Sequence, residues 1–169
     1  ANRSGKLSVT IAKRRNDYPA WEDFSWDKDH PKQIKTYEDY GLTPPLVDRA
    51  FAHRPVTAYR EDIYLGYRYF DSFGIEPLYP FGFGLSYTSF SLTCAGVAKT
   101  AKGLTVKSKI KNTGFRSGRE VSQVYVSAQV TAQPHPFQEL KAFAKTGELA
   151  PGQTEVIAMT IPWKELASF

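Results

Sequence analysis

The sequence predicts a mainly β fold in which a β-sandwich follows a long irregular segment. Aromatic residues make up 14% of the 169 residues, and aromatic side chains favour strands. The chain also contains 11 Pro and 12 Gly, which favour turns and ordered loops over helices. Near residues 85–88 the irregular sequence gives way to short alternating runs, so we expect a domain boundary there.

The second half of the chain accounts for the sandwich. Alternation and turn sequences predict strands at 88–94, 104–112, 120–129, 138–144 and 154–161. Turns rich in Asn, Gly and Pro separate these runs. The spacing is typical of an immunoglobulin-like or fibronectin type III-like sandwich. Five strands are one or two fewer than such a fold needs, so we expect its last strands to be missing or supplied from elsewhere.

The first half accounts for the irregular segment. Residues 5–12 alternate as a short strand does, and 63–70 form an aromatic run that predicts a strand or an extended linker. Residues 13–60 lack periodicity apart from a short helix expected near 46–52, and 71–87 are rich in Gly, Pro and rings. So long a structureless stretch is unusual in an isolated domain. We therefore expect it to lie against a larger body.

The net charge of +5 arises in the second half, where residues 86–169 hold 10 basic and five acidic side chains. A basic domain attracts nucleic acid or acidic polymers. However, Lys107, Lys109 and Lys111 alternate with apolar or small residues, as on the solvated face of a strand. The aromatic motif of RNA-binding sheets is absent. The sequence therefore favours a solvated face, and we expect no nucleic-acid partner.

Several other classes of site lack their sequence signals. No apolar run approaches the ~18 residues of a membrane span, so we expect no membrane partner. The single cysteine, Cys94, excludes a disulfide framework and is expected to be a buried, inert thiol. His30, His53 and His135 do not pair at ligand spacing, so we expect no metal. Phosphate-binding and nucleotide-binding motifs are also absent, and we expect no cofactor.

Acidic residues in the first half raise the possibility of glycosidic acid–base chemistry, which needs two carboxylates across a cleft. The candidates are Asp23, Asp27, Asp29, Glu38, Asp39, Glu61, Asp62, Asp71 and Glu76. Glu61 and Asp62 have the most suggestive position, just before the aromatic run. Loop carboxylates more often form caps and ion pairs, and Asp71 is expected to accept from Arg68 or from loop amides. The structural role is favoured.

Aromatic side chains leave a second function open. Trp21, Trp26 and Trp163 could stack on sugar rings, although a lone Trp more often belongs to a core or an interface. Together with the sandwich fold, the density of aromatic residues keeps a free-standing carbohydrate-binding or adhesion module as an alternative.

Residues 61–90, EDIYLGYRYFDSFGIEPLYPFGFGLSYTSF, resemble the segment that joins the second and third domains of glycoside hydrolase family 3 enzymes, especially bacterial β-glucosidases. Three further stretches support the resemblance: NRSGKLSVT at 2–10, KNTG at 111–114 with GREVSQVYV at 118–126, and ELKAF at 139–143. The first is similar to the strand that closes the family's α/β sandwich domain, with Arg3 and Ser8 in place of the usual prolines.

The resemblance implies how the chain is divided among domains and which role it has in the enzyme. Residues 1–60 would be the tail of the α/β sandwich domain with a long connection, 61–87 an interdomain segment, and 88–169 a fibronectin type III-like domain that lacks its last strands. The family's nucleophilic Asp and acid/base Glu lie upstream of Ala1, and Glu61 matches a family Glu that is not catalytic. We therefore assign no catalytic, substrate-binding or metal-binding residue. The implied role is the non-catalytic C-terminal part of a retaining β-glucosidase, whose partners are its barrel and α/β sandwich domains and whose substrates are β-linked glucosides.

Overall fold

The computed structural model of the protein describes residues 2–21, 36–43, 56, 59, 61–128 and 134–167. It contains five strands and two short helices: β1 (Phe90–Thr100), β2 (Gly103–Asn112), β3 (Val121–Val126), β4 (Glu139–Lys145), β5 (Thr154–Pro162), α1 (Tyr67–Phe73) and α2 (Trp163–Leu166). Among the described residues of the first half, Arg15–Asp17 and Glu38–Tyr40 form 3-10 turns. In the part of the chain so described, no helix is long and apolar enough to cross a membrane.

All five predicted strands are present and form two antiparallel sheets, with the orders β1-β2-β5 and β3-β4. Apolar side chains of β2 and β5 fill the space between the sheets; Ile110 and Ile161 are fully buried there. The Oγ atoms of Ser108 and Ser122 lie 2.9 Å apart and join the two sheets through a buried hydrogen bond. The mainly β sandwich prediction is confirmed.

The lysine row of β2 behaves as its alternation predicts. Lys107, Lys109 and Lys111 are exposed, whereas Val106, Ser108 and Ile110 between them are buried. Because β2 is the central strand of its sheet, one of its faces covers the core and the other faces water. The charged row is therefore a solvated sheet face.

A buried amide fixes the point at which the chain enters the sandwich. Asn112, fully buried at the end of β2, donates through Nδ2 to the carbonyl oxygens of Arg116 and Leu149, each at 2.8 Å. Its Oδ1 accepts from Thr88 Oγ1 at 2.8 Å and from the Gly114 N–H at 3.0 Å. Both N–H groups of the amide nitrogen are satisfied, so one side chain ties the β2–β3 loop and the β4–β5 loop to the first residues of the domain.

Residues 5–12 do not form the predicted strand; the extended segment makes one isolated bridge, between Ile11 and Tyr79. The facing segment explains this outcome. Pro80 has no N–H to donate, and Gly82 has a φ of 81°, outside the strand region. Pairing is therefore confined to its two ends, and a regular ladder does not form.

The prediction of a strand or extended linker at 63–70 was also wrong, because Tyr67–Phe73 is the helix α1. Gly66 and Gly74, with φ values of 59° and 64°, bound this helix. Such values are readily adopted by glycine, so the chain can turn sharply at both ends. Phe70 is buried at 2% exposure and anchors the helix.

The remaining differences concern burial and element length. Cys94 is exposed rather than buried, because β1 is the edge strand of its sheet and lies open along nearly its whole length. β1 extends beyond the predicted 88–94, and β3 ends before the predicted 129. The helix expected near 46–52 lies outside the described residues.

Candidate docking face

The first residues of the chain are held along the segment that precedes the sandwich. The Leu7 N–H donates to the Phe83 carbonyl at 2.8 Å, and the Gly82 N–H donates to the Leu7 carbonyl at 2.8 Å. At the other end, the Ile11 N–H donates to the Tyr79 carbonyl at 2.9 Å. Residues 2–12 and 78–87 are therefore held side by side. We call residues 2–21 and 61–87, which include these two stretches and α1, the connecting segment.

Two side chains join this segment to the sandwich. Asn2 Oδ1 accepts from the Tyr87 N–H at 2.9 Å, while its Nδ2 donates to the Ser117 carbonyl at 3.2 Å. Lys6 Nζ lies 2.7 Å from Glu120 Oε1, and the two side chains are only 22% and 14% exposed. Partial burial strengthens such a pair relative to a fully exposed one.

Helix α1 packs on the start of β4. The Leu140 N–H donates to the Tyr67 hydroxyl at 2.7 Å, and the Phe137 N–H donates to Ser72 Oγ at 2.9 Å. Because these donors are backbone groups of the sandwich, they fix the position of the helix as well as its orientation. Polar contacts from successive turns of α1 therefore hold it on the domain.

A charged group and a ring cluster complete this contact. Arg68 lies 2.8 Å from Glu139. Of the two donors expected for Asp71, Arg68 or loop amides, the first was therefore wrong. The ring centroid of Tyr67 is 4.9 Å from that of Phe81 and 5.8 Å from that of Tyr125 on β3. Some rings of the connecting segment are thus already covered by the chain's own sandwich.

Other apolar side chains of the connecting segment line two open hollows. One, of about 650 Å³, is lined by Tyr18, Leu65 and Phe70 among others. The second, of about 810 Å³, is lined by residues that include Leu7 and Tyr79. Both volumes fall in the range of ligand pockets, and their linings are mostly apolar, as those of such pockets are. We call these two hollows and the side chains around them the docking face.

Several exposed apolar side chains line this face. Val9 is 57% exposed, Tyr59 73%, Leu65 61% and Leu85 67%. Scattered exposed hydrophobic residues are normal on a monomer, whereas contiguous patches mark interaction sites. The face is therefore a candidate site for contact with another protein body.

The predicted carboxylates are not gathered at one place. Glu61 lines the hollow of about 650 Å³, and Asp71 lines a different cleft of about 240 Å³. Among the described residues, each is the single acidic residue of its lining. Glu38 and Asp39 lie in an exposed 3-10 turn. Asp62 is exposed with a φ of 48°. Asp23, Asp27 and Asp29 lie outside the described residues.

Among these carboxyl groups, Asp71 and Glu76 each bond a residue that is distant in the chain. Asp71 accepts from Gln138 Nε2 at 2.9 Å. Glu76 accepts from Lys13, and this hydrogen bond, aided by the positive charge, lowers the pKa of Glu76 below its usual value. Within the described ranges, no cluster of three or more His, Cys, Asp or Glu side chains could hold a metal ion.

The two described tryptophans lie in separate elements, and each has a partner. Arg15 lies 4.8 Å above the ring of Trp21, and Trp163 donates through Nε1 to the Thr100 carbonyl at 3.2 Å. Trp26 is outside the described residues, as are His30 and His53. His135 is half-buried rather than fully solvated, and its carbonyl faces the Tyr64 hydroxyl at 3.5 Å.

One titratable group lies where the connecting segment meets the sandwich. Burial raises the pKa of the Tyr125 hydroxyl, and Coulombic interactions with Tyr67 and Asp71 raise it further. Sequence reasoning missed this residue, together with Asn2, Gln123 and Gln138. The alternation of β3 was a usable signal for Gln123 and Tyr125, because it places them on the sheet face opposite Ser122.

Comparison with known proteins relates this geometry to a family. A fibronectin type III-like domain model matches residues 120–169. The chain is 38% identical over 131 residues to a β-glucosidase from Ruminococcus albus, covering 77% of the chain and 14% of that protein. It is 31% identical over 172 residues to thermostable β-glucosidase B from Acetivibrio thermocellus, covering 99% of the chain and 19% of that protein.

Solved structures of β-glucosidases are also similar to this chain. β-Glucosidase 3B from Thermotoga neapolitana superimposes with a TM-score of 0.77 and 42% identity, over 99% of this chain and 20% of that one. The GH3 β-glucosidase of Bifidobacterium adolescentis gives a TM-score of 0.74 and 30% identity, over 97% and 20%. This chain corresponds to a C-terminal portion of a family 3 glycoside hydrolase. It spans less than a fifth of the length of the two curated relatives, 14% and 19%.

Within that family context, the match extends across the connecting segment as well as the sandwich, because 99% of the chain superimposes on the Thermotoga enzyme. The two parts therefore form a continuous structural unit in those relatives. The sandwich corresponds to the non-catalytic fibronectin type III-like part of the family 3 enzymes.

Proposed function

We propose that this chain is the C-terminal part of a retaining β-glucosidase-type hydrolase and that it braces the catalytic domains without contributing a catalytic residue. The docking face carries this proposal. Its apolar hollows lie on the connecting segment, the part that resembles the junction between the second and third domains of the family. The occupant is the preceding body of the same enzyme, its barrel and α/β sandwich domains.

The proposed organisation follows the same division. Residues 1–60 belong to the end of the α/β sandwich domain, 61–87 join the domains, and 88–169 form the fibronectin type III-like domain. The hydrogen bond from Asn2 Nδ2 to the Ser117 carbonyl and the ion pair between Lys6 and Glu120 support this arrangement. Both contacts join residues 1–60 to the fibronectin type III-like domain, so they fix the position of each of these parts relative to the other.

The energy available for bracing is considerable. Full burial of one large apolar side chain contributes about 1.5–3 kcal/mol. Val9, Tyr59, Leu65 and Leu85 are each more than half exposed, so covering this group together supplies several kcal/mol. That is comparable with the free energy of unfolding of a whole domain, and it is sufficient to hold two domains in one relative position.

The substrates of the whole enzyme would be β-linked glucosides, and hydrolysis would use two carboxylates from the preceding domains. The direct test is turnover of an aryl β-glucoside. The 169-residue chain alone is expected to show none, while the enzyme that carries it hydrolyses the substrate. Turnover by the purified chain that survives removal of contaminating enzyme would refute the assignment of the catalytic pair to other domains.

A second experiment tests the bracing itself with matched variants. Leu65→Ser on the docking face and Val156→Ser on the sandwich replace side chains that are 61% and 53% exposed. In the chain alone, both are expected to be nearly neutral. In the whole enzyme, Leu65→Ser should lower the thermal midpoint and the activity, whereas Val156→Ser should not. Equal effects of both variants on the whole enzyme would contradict the proposed face.

A further inference from the structure

A small polar cleft lies between the connecting segment and the sandwich, separate from the two apolar hollows. Its volume is about 240 Å³, which is equivalent to about eight water molecules at roughly 30 Å³ each. It is lined by Tyr67, Asp71, Phe81, Gln123, Tyr125 and Gln138, together with Thr10 and two prolines. Asp71 and Pro80 are exposed, so the cleft opens to solvent.

The polar groups of the cleft are held in place by the protein. Gln138 Nε2 donates to Asp71 Oδ2 at 2.9 Å, and the Tyr125 hydroxyl donates to Gln123 Oε1 at 3.3 Å. The Tyr67 hydroxyl accepts from the Leu140 N–H at 2.7 Å. Because each group is fixed by a neighbour, little side-chain entropy remains to be lost when a ligand binds.

These bonds leave hydrogen-bonding capacity unused. A carboxylate has about four acceptor sites and a primary amide has two donors. The hydrogen bond between Gln138 and Asp71 uses one acceptor site of the carboxylate and one N–H of the amide, so other sites of both groups are available to a ligand. Thr10, buried at 8% exposure, adds a shielded hydroxyl that has no partner among the described residues.

The chemistry of the lining selects the class of ligand. None of the described residues that line the cleft is cationic, so a phosphate or a uronate would meet the Asp71 carboxylate without compensation. Aromatic rings beside a few fixed polar groups instead suit a molecule with an apolar face and several hydroxyls. We infer that this cleft binds one pyranose unit of a neutral sugar.

The inference does not depend on the proposed hydrolytic function, because binding here needs no bond cleavage. The cleft has room for one ring and not for an oligosaccharide, so an affinity on the order of 1 mM is expected. Free sugar of the kind released by hydrolysis would then occupy the cleft at high concentration. The occupancy of the cleft, at the junction of the two parts of the chain, would therefore vary with the concentration of sugar.

The test is a titration of the full 15N-labelled chain with D-glucose, read at the side-chain amides of Gln123 and Gln138. Saturable shifts of both amides at millimolar glucose are expected. Asp71→Asn should weaken binding by about tenfold or more, because hydrogen bonds to charged groups are the stronger ones. The matched control is Asp62→Asn, whose exposed position at positive φ tolerates Asn, and it should leave binding unchanged.

Three outcomes would overturn the inference. They are the absence of saturable shifts in both amides, equal shifts with glycerol at the same concentration, and wild-type affinity in Asp71→Asn. Tyr125→Phe provides a second variant if Asp71→Asn disturbs the fold, and it should weaken binding several-fold while preserving the ring. Activity on glucosides is not part of the readout, so the inference and the proposed function fail independently.

Discussion

The amide of Asn112 gives the sharpest test of how the sandwich is held together. Replacing Asn112 by Ala removes four side-chain hydrogen bonds, two from Nδ2 and two to Oδ1, all between 2.8 and 3.0 Å. Each is worth about 1 kcal/mol net, and the Gly114 N–H and the Arg116 carbonyl lose this partner, whereas the Leu149 carbonyl keeps its hydrogen bond from the Gly118 N–H. We therefore expect Asn112→Ala to lower the free energy of unfolding by about 3–5 kcal/mol.

The assay is urea unfolding of the full chain followed by circular dichroism, with the slope of the transition checked for constancy. Thr88→Val removes one of the four hydrogen bonds and should cost about 1 kcal/mol. In the background of Asn112→Ala the same substitution should cost almost nothing, since its partner is already gone. Asn16→Ala, at an exposed position, is the matched control and should be within about 0.5 kcal/mol of wild type.

Two results would refute this reasoning. One is a loss of less than about 1 kcal/mol for Asn112→Ala, because the substitution removes four hydrogen bonds of about 1 kcal/mol each. The other is full additivity with Thr88→Val, which would show that the two side chains do not share a hydrogen bond in solution.

Three further predictions concern the junction of the two parts of the chain. The raised pKa of Tyr125 means that the native state retains its proton above the ordinary value near 10; stability should therefore fall as pH rises through this range, and absorbance should show a late-titrating phenol that Tyr125→Phe removes. A Cβ added at Gly84 would lie 2.5 Å from the Gly5 carbonyl oxygen, so Gly84→Ala should cost about 1–3 kcal/mol in thermal unfolding, whereas a Cβ at Gly5 meets nothing within 4 Å and Gly5→Ala should be nearly neutral. A double-mutant cycle of Lys6→Met and Glu120→Gln should give a coupling of about 1 kcal/mol that weakens with salt, and zero coupling at low salt would contradict the ion pair.

Local patterns in the sequence account for the sandwich and for little of the connecting segment. The strands were predictable because alternation along β2 reports directly which side chains face the core. The helix α1 was not, since aromatic side chains favour strands and the run is too short for a helical period to stand out. Its two bounding glycines act through backbone angles, and the packing of Phe70 then selects the helix.

The clefts were unpredictable for a related reason. The polar cleft combines Thr10, Asp71 and Gln138, which are far apart along the chain and meet only because α1 packs against β4. Asn2 is likewise an ordinary polar residue near the start of the chain until it reaches Tyr87 and the Ser117 carbonyl. No sequence periodicity predicts such contacts, because they depend on the relative placement of whole elements.

By itself, the sequence determined the fold class, the five strands, the solvated lysine row and the resemblance to a glycoside hydrolase family, since each of these is carried by residues close together in the chain. Only the tertiary structure decided that Cys94 is exposed, that residues 5–12 make a single bridge, and which rings are already covered. Burial and pairing depend on what lies across a gap in space, and a linear pattern states which face of an element is apolar but not what covers that face.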